Sequence, residues 1–187
     1  MTDGGAALLG GLGLLERAIG YALGSLALVP PGPLSRPTPC ADWTLGDLLA
    51  HLDDSLLALR EAADLGHVPL TVPEAAGDPV TTVRGHATGL LAAWTAAEAP
   101  GTVGVGAAVL TSELLTSAGA FEIAVHGWDV AQACGARRPL PEPLAEELLD
   151  LAPLLLTPAD RPGRFGPPLG VAGGASERLL AFTGRRG

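Results

Sequence analysis

With 187 residues, 48% of them hydrophobic and 17% charged, the chain has apolar material for one core and room for a short appendage. Its net charge of −9, from 20 acidic and 11 basic residues, excludes the cationic footprint that nucleic acid or an anionic membrane surface demands. Lysine and asparagine are absent while Gly, Pro, Ala and Arg abound, a bias of GC-rich genomes such as those of actinobacteria that bears on source and not on activity.

The first stretch, MTDGGAALLGGLGLLERAIGYALGSLALV, lacks a basic leader, and Glu16 and Arg17 interrupt its apolar run. Neither export nor a membrane span is therefore expected, and the expected location is cytoplasmic. Residues 5–28 read as a first helix, loosened by Gly10, Gly11, Gly13, Gly20 and Gly24. The prolines of PPGPLSRPTP, 30–39, remove donors and fix φ, so no helix crosses them. A second helix starts at Thr44, a good N-cap, with Asp47 three residues later in a capping-box-like start. Leu45, Leu48, Leu52, Leu56 and Leu59 follow at helical spacing, and Gly66 ends the run.

Residues 67–79 read as a loop, and a third helix spans 80–98, stopped by Pro100 and Gly101. GTVGVGAAVL is open between loop and a short extended piece. A fourth helix covers 112–134 and stops at Gly135, with Arg137 and Arg138 beyond its negative end. A fifth begins near Pro141 and fades by Pro158; a Pro/Gly-rich tail closes with a short helix at 176–183. No strand alternation and no internal repeat is evident. The expected fold is an all-α bundle over residues 1–157, with a C-terminal tail, 158–187, packed on it. Cys40 and Cys134 lack metal-ligand or redox spacing and read as free thiols.

The fourth helix carries FEIAVHGWDVAQA, 121–133, with three ionisable residues where a plain core would carry leucine. At about 100° per residue, Leu115, Ala118, Val125, His126, Asp129 and Ala133 all fall within roughly 60° of Glu122, on the stripe expected to face the interior. Glu122 and His126, spaced i and i+4, stack one turn apart, close enough to bind one ion. The alternative is that they bond each other or face water. A site needs a third ligand; His51 is a candidate, although it lies at the border of its leucine stripe, where a half-buried surface residue is also natural. His67 and His86 read as surface residues. Asp129 suits either the second N–H of a ligand histidine or a salt bridge. Asp47 lies one turn before His51, but its cap already explains it.

Three stretches, PTPCADWTLGDLLAHL at 37–52, FEIAVHGWDVAQA at 121–133 and RFGPPLGVAGGASERLLAFTGR at 164–185, together resemble the mycothiol-dependent maleylpyruvate isomerase-like family, within the DinB-like metal-binding superfamily. The resemblance implies a DinB-like four-helix bundle, here with an additional helix and a short tail. It further implies a divalent metal, usually zinc, with His51, Glu122 and His126 as ligands; the roles of Asp129 and Asp47 behind them rest on spacing alone. Such a metal has an open position able to hold water or a thiol. The resemblance points to the thiol, mycothiol as co-substrate, and to isomerase or S-transferase chemistry on a small electrophilic substrate. The alternatives are a thiol-independent metal-water or Lewis-acid enzyme of specialised metabolism, and a non-catalytic metal-binding protein.

Family isomerases carry a further C-terminal domain whose basic residues hold an acidic substrate. About thirty residues after the fifth helix are too few for one, so maleylpyruvate itself is not the expected substrate. Arg161, Arg164 and Arg178 are candidates for the mouth of the site, or ordinary surface. Trp43 and Trp128 read as packing residues, and Cys40 as part of a structural turn rather than a nucleophile. The expected partner is a small molecule, with neither nucleic acid nor membrane, and a bundle of this kind is compatible with a homodimer.

Overall fold

The computed structural model describes residues 11–40, 42–69, 77–95, 100–156, 158, 161 and 165–186. Among them are six helices: α1 (Gly11–Leu26), α2 (Leu45–Leu65), α3 (Pro79–Thr95), α4 (Ser112–Ala133), α5 (Glu142–Leu155) and α6 (Ala175–Phe182). The expected residues 5–10 of the first helix and 96–98 of the third lie outside the described residues.

Helices α1 to α4 form the bundle. α1 lies along α4, α2 packs on both α3 and α4, and α1 also meets α3. The α1–α4 approach is close because the facing side chains are small: a Cβ added at Gly127 would lie 3.1 Å from the Cα of Ala22. Ala18, Ala22, Ala120 and Ala124 line the same buried region. Six of the eight leucines of α2, Leu45, Leu48, Leu49, Leu52, Leu56 and Leu59, are buried, each contributing about 1.5–3 kcal/mol of apolar transfer.

The boundaries of α2 are written in local chemistry. Thr44 accepts from the Asp47 amide, and Asp47 accepts from the Thr44 amide, closing a capping box. At the other end Gly66 takes φ 70°, a left-handed conformation that costs other L-residues energy. α3 opens on Asp78, whose carboxylate accepts from the Thr81 amide at 2.8 Å, with Pro79 at the first helical position.

A small sheet is the element that periodicity did not reveal. Strand β1 (His67–Val68) pairs parallel with β2 (Thr102–Val105), which pairs antiparallel with β3 (Ala108–Thr111). β2 and β3 are joined through Gly106 and Ala107; Gly106, at φ 56°, supplies the positive φ that a two-residue hairpin turn requires. Val103 alone is buried in β2, so no apolar alternation marks the strands. β3 runs directly into α4, whose first turn is capped by the Thr111 hydroxyl.

Beyond the bundle, α5 packs on α4 and α1, and α6 packs on α5. Glu142, at the start of α5, accepts from the Ala175 amide (2.7 Å) and the Ser176 amide (3.3 Å), joining it to the first turn of α6. No helix among the described residues is long and apolar enough to cross a membrane.

Candidate metal centre

α4 is enclosed on nearly every side, with buried residues running without a break from Ile123 to Ala131. A central helix has no single inner face, and this corrects the stripe expectation. Leu115, Ala118 and Glu122 are only half-buried, whereas His126 and Asp129 are fully buried. Glu122 stands at the gap where α4 faces His51 of α2, with both side chains about one-fifth exposed.

There the three residues meet. Glu122 Oε2 lies 3.1 Å from His126 Nε2 and 3.7 Å from His51 Nε2. One ligand atom from each of the three lies within 4.8 Å of the other two. Both distances to Glu122 are ion-pair approaches; neither imidazole Nε2 makes a hydrogen bond, and both atoms are buried. Two orphaned, converging nitrogens beside a carboxylate form a donor set that a divalent cation satisfies, and zinc accepts these ligand types.

The other side of His126 is fully engaged. Its Nδ1 lies 2.9 Å from Asp129 Oδ2, one helical turn on, and 3.7 Å from the Cys40 sulfur. With Nδ1 turned to Asp129, Nε2 is the ring nitrogen that faces Glu122 and His51. Asp129 is clamped by Arg185, whose Nε lies 3.0 Å from Oδ1 and whose Nη2 lies 2.7 Å from Oδ2. Arg185 Nη2 also lies 3.2 Å from the Cys40 sulfur. Burial opposes charge on Asp129, but Arg185 and His126 outweigh it and pull its pKa down to about 2. Burial likewise opposes the imidazolium of His126; Asp129, Cys40 and the neighbouring carboxylate of Glu122 override it, raising its pKa well above the usual histidine value.

Cys40, His126 and Asp129 form a second group with donor atoms within 4.8 Å. The guanidinium of Arg185 already supplies a cation there, in contact with both sulfur and carboxylate, and all three residues are buried. The group on the Nε2 side instead opens toward solvent, with His51 and Glu122 each about one-fifth exposed.

Aromatic rings wall the imidazoles. Trp43 has its ring centroid 5.0 Å from that of His51 and 6.0 Å from that of His126, and Phe165 stacks on His126 at 5.8 Å. Trp43, expected to be a packing residue, is thus part of the site; Trp128 is buried as expected. The turn carrying Cys40 and Trp43 is pinned by Thr38, whose hydroxyl bonds to Cys40 N (3.2 Å) and Trp43 O (3.0 Å). Asp42 adopts φ 66° within it, a conformation aspartate tolerates better than most residues.

The other expected site residues lie elsewhere. Asp47 is exposed, and its carboxylate bonds to the Thr44 amide (2.9 Å) and hydroxyl (2.6 Å) rather than to His51. Arg178 is exposed on α6, lining a surface depression with Leu149, Asp150 and Pro168. Arg161 donates to the carbonyls of Gly166 and Phe182, tying the tail together. Arg164 lies outside the described residues. His86, expected at the surface, is half-buried and 2.6 Å from the buried carboxylate of Asp53. Neither Arg185 nor Phe165 is marked by spacing or periodicity, although both lie in the third family-like stretch. A buried Asp129 calls for a counter-charge, but spacing alone does not say which arginine provides it.

A mostly helical bundle in which α2 and α4 together bring a His–Glu–His donor set to one place defines a candidate metal-binding helical protein. The chain belongs to the family of the mycothiol maleylpyruvate isomerase N-terminal domain, whose model matches residues 15–131. It is also similar to uncharacterized proteins of two Mycobacterium tuberculosis strains, CDC 1551 / Oshkosh and ATCC 25618 / H37Rv. Each is 28% identical over 86% of this chain and 89% of its own length. No solved structure matches the chain.

Proposed function

We propose that this protein is a metal-dependent enzyme that acts with a low-molecular-weight thiol, mycothiol, on a small electrophilic substrate, as an isomerase or S-transferase. The observation that carries the reading is the pair of buried imidazole nitrogens of His51 and His126, neither hydrogen-bonded, converging with the Glu122 carboxylate. Membership of a family named for a mycothiol-dependent isomerase supports the thiol.

His51, Glu122 and His126 would hold the cation, and two imidazoles with one carboxylate suit zinc. A divalent ion bound there supplies Lewis acidity and lowers the pKa of a thiol or water. Three ligands leave a tetrahedral site open to such a group, the arrangement of catalytic rather than structural zinc. Asp129 keeps the Nδ1 proton of His126 and so orients its Nε2. Phe165 and Trp43 shield the imidazole ring and limit water around it. Beside His51 lies an open depression of about 500 Å³ lined by Asp42, Trp43, Asp47, Ala50 and Asp54. Its three aspartates, with no arginine among the described lining residues, disfavour an acidic substrate such as maleylpyruvate.

Metal analysis of protein purified without a histidine tag, followed by mycothiol consumption in the presence of model electrophiles, tests the reading. About one equivalent of zinc is expected, lost in His51→Ala along with thiol turnover. Protein without a divalent ion under metal-replete conditions would overturn the proposal. A bound ion without any mycothiol dependence would turn it toward thiol-independent Lewis-acid chemistry.

A further inference from the structure

We propose that Arg185 is a positioning residue of the His51–Glu122–His126 centre, and that the segment following α6 completes that centre. This rests on the metal-binding reading above. Arg185 comes from beyond the family match, which ends at residue 131. It is 4% exposed. Desolvating a guanidinium so fully is costly unless its partners are complete. Nε and Nη2 grip both oxygens of Asp129, Nη2 reaches the sulfur of Cys40, and Nη1 donates to the Thr183 carbonyl at 2.8 Å. The Phe165 ring lies 5.0 Å from the guanidinium carbon, so the ring that stacks on His126 also supports Arg185.

The backbone before Arg185 is shaped to deliver it. Gly184 adopts φ 81°, and a Cβ there would fall 2.6 Å from the Cα of Gly166. Only glycine meets both demands, and the turn it makes sends Arg185 inward toward α4. The consequence is geometric. A carboxylate held by one flat fork cannot rotate, so Oδ2 stays opposite His126 Nδ1. The tautomer and ring plane of His126 are thereby set, and Nε2 faces His51 and Glu122. A residue distant in sequence thus shapes the donor set through Asp129.

The test is titration of the metal-free full-length chain with Co²⁺, reading both the dissociation constant and the d–d absorption, in wild type, Arg185→Met and Arg185→Lys. Arg185→Lys keeps the buried positive charge but not the fork, so it carries the test even where Arg185→Met fails to fold. The expected result is Co²⁺ binding weakened about 10–100-fold with an altered d–d spectrum. Lower thermal stability with wild-type affinity and spectrum would mean a purely structural ion pair and would overturn the proposal. A wild-type chain that binds neither Co²⁺ nor Zn²⁺ would instead remove the metal-binding reading beneath it, so the two failures are distinguishable.

Discussion

His126 divides its two nitrogens between unlike surroundings, and each nitrogen belongs to a different candidate donor group. On the Nδ1 side, Asp129 and Cys40 already share the charge of Arg185. On the Nε2 side, two imidazole nitrogens converge with the single negative charge of Glu122. The two sides predict different responses to mutation. Glu122→Gln, which removes a ligand charge, should lower Co²⁺ affinity by more than the ~10–100-fold typical of residues behind the ligands, and Cys40→Ser by no more than that range. Wild-type Co²⁺ protein should also lack the sulfur-to-cobalt charge-transfer absorption of a thiolate ligand. A strong band of that kind, lost in Cys40→Ser, would move the ion to the Nδ1 side. At this scale the Glu122–His126 pair was legible because i,i+4 spacing on a helix is a local fact. Arg185 was not, because the partner of a buried aspartate is chosen by tertiary packing.

At the scale of elements, α2 shows how local chemistry delivers a site residue. The capping box sets where the helix begins, and the preceding turn hangs Cys40 and Trp43 from it through Thr38. His51 then falls two turns into a helix whose leucines fix its rotation. Thr44→Ala should cost about 1 kcal/mol by loss of the cap. Gly66→Ala should cost about 1–2 kcal/mol, since alanine must enter the left-handed region. Both are measured as shifts in urea midpoint at unchanged m-value; a Gly66→Ala chain as stable as wild type would refute the cap assignment. The caps of α2 were readable because Thr, Asp and Gly each act within a few residues. The stripe on α4 misled because a helix covered on all sides carries apolar residues everywhere, so the line through Leu115, Ala118 and Glu122 turned out to be less buried than the rest. The β2–β3 segment stayed open between loop and extended piece because four-residue strands with one buried side chain leave no period to detect.

At the scale of the whole molecule, the candidate centre lies where three parts of the chain arrive separately. The Pro-rich connection brings Cys40 and Trp43, the bundle brings His51, Glu122, His126 and Asp129, and the tail brings Phe165 and Arg185. None of these sets is preassembled in an unfolded chain, where His51 and Glu122 are separated by about seventy residues of free backbone. A cation that binds the three-ligand group therefore binds the native state almost alone, and its binding energy becomes folding stability. Free zinc at 100 times its dissociation constant should add about 2.7 kcal/mol, which for a chain of this length raises the melting temperature by about 5–11 °C. The rise should grow with the logarithm of zinc concentration, reverse with a chelator, and disappear in His126→Ala. Calorimetry across a zinc series reads it directly; a melting temperature indifferent to zinc in wild type would mean that the donor group does not couple a cation to the fold.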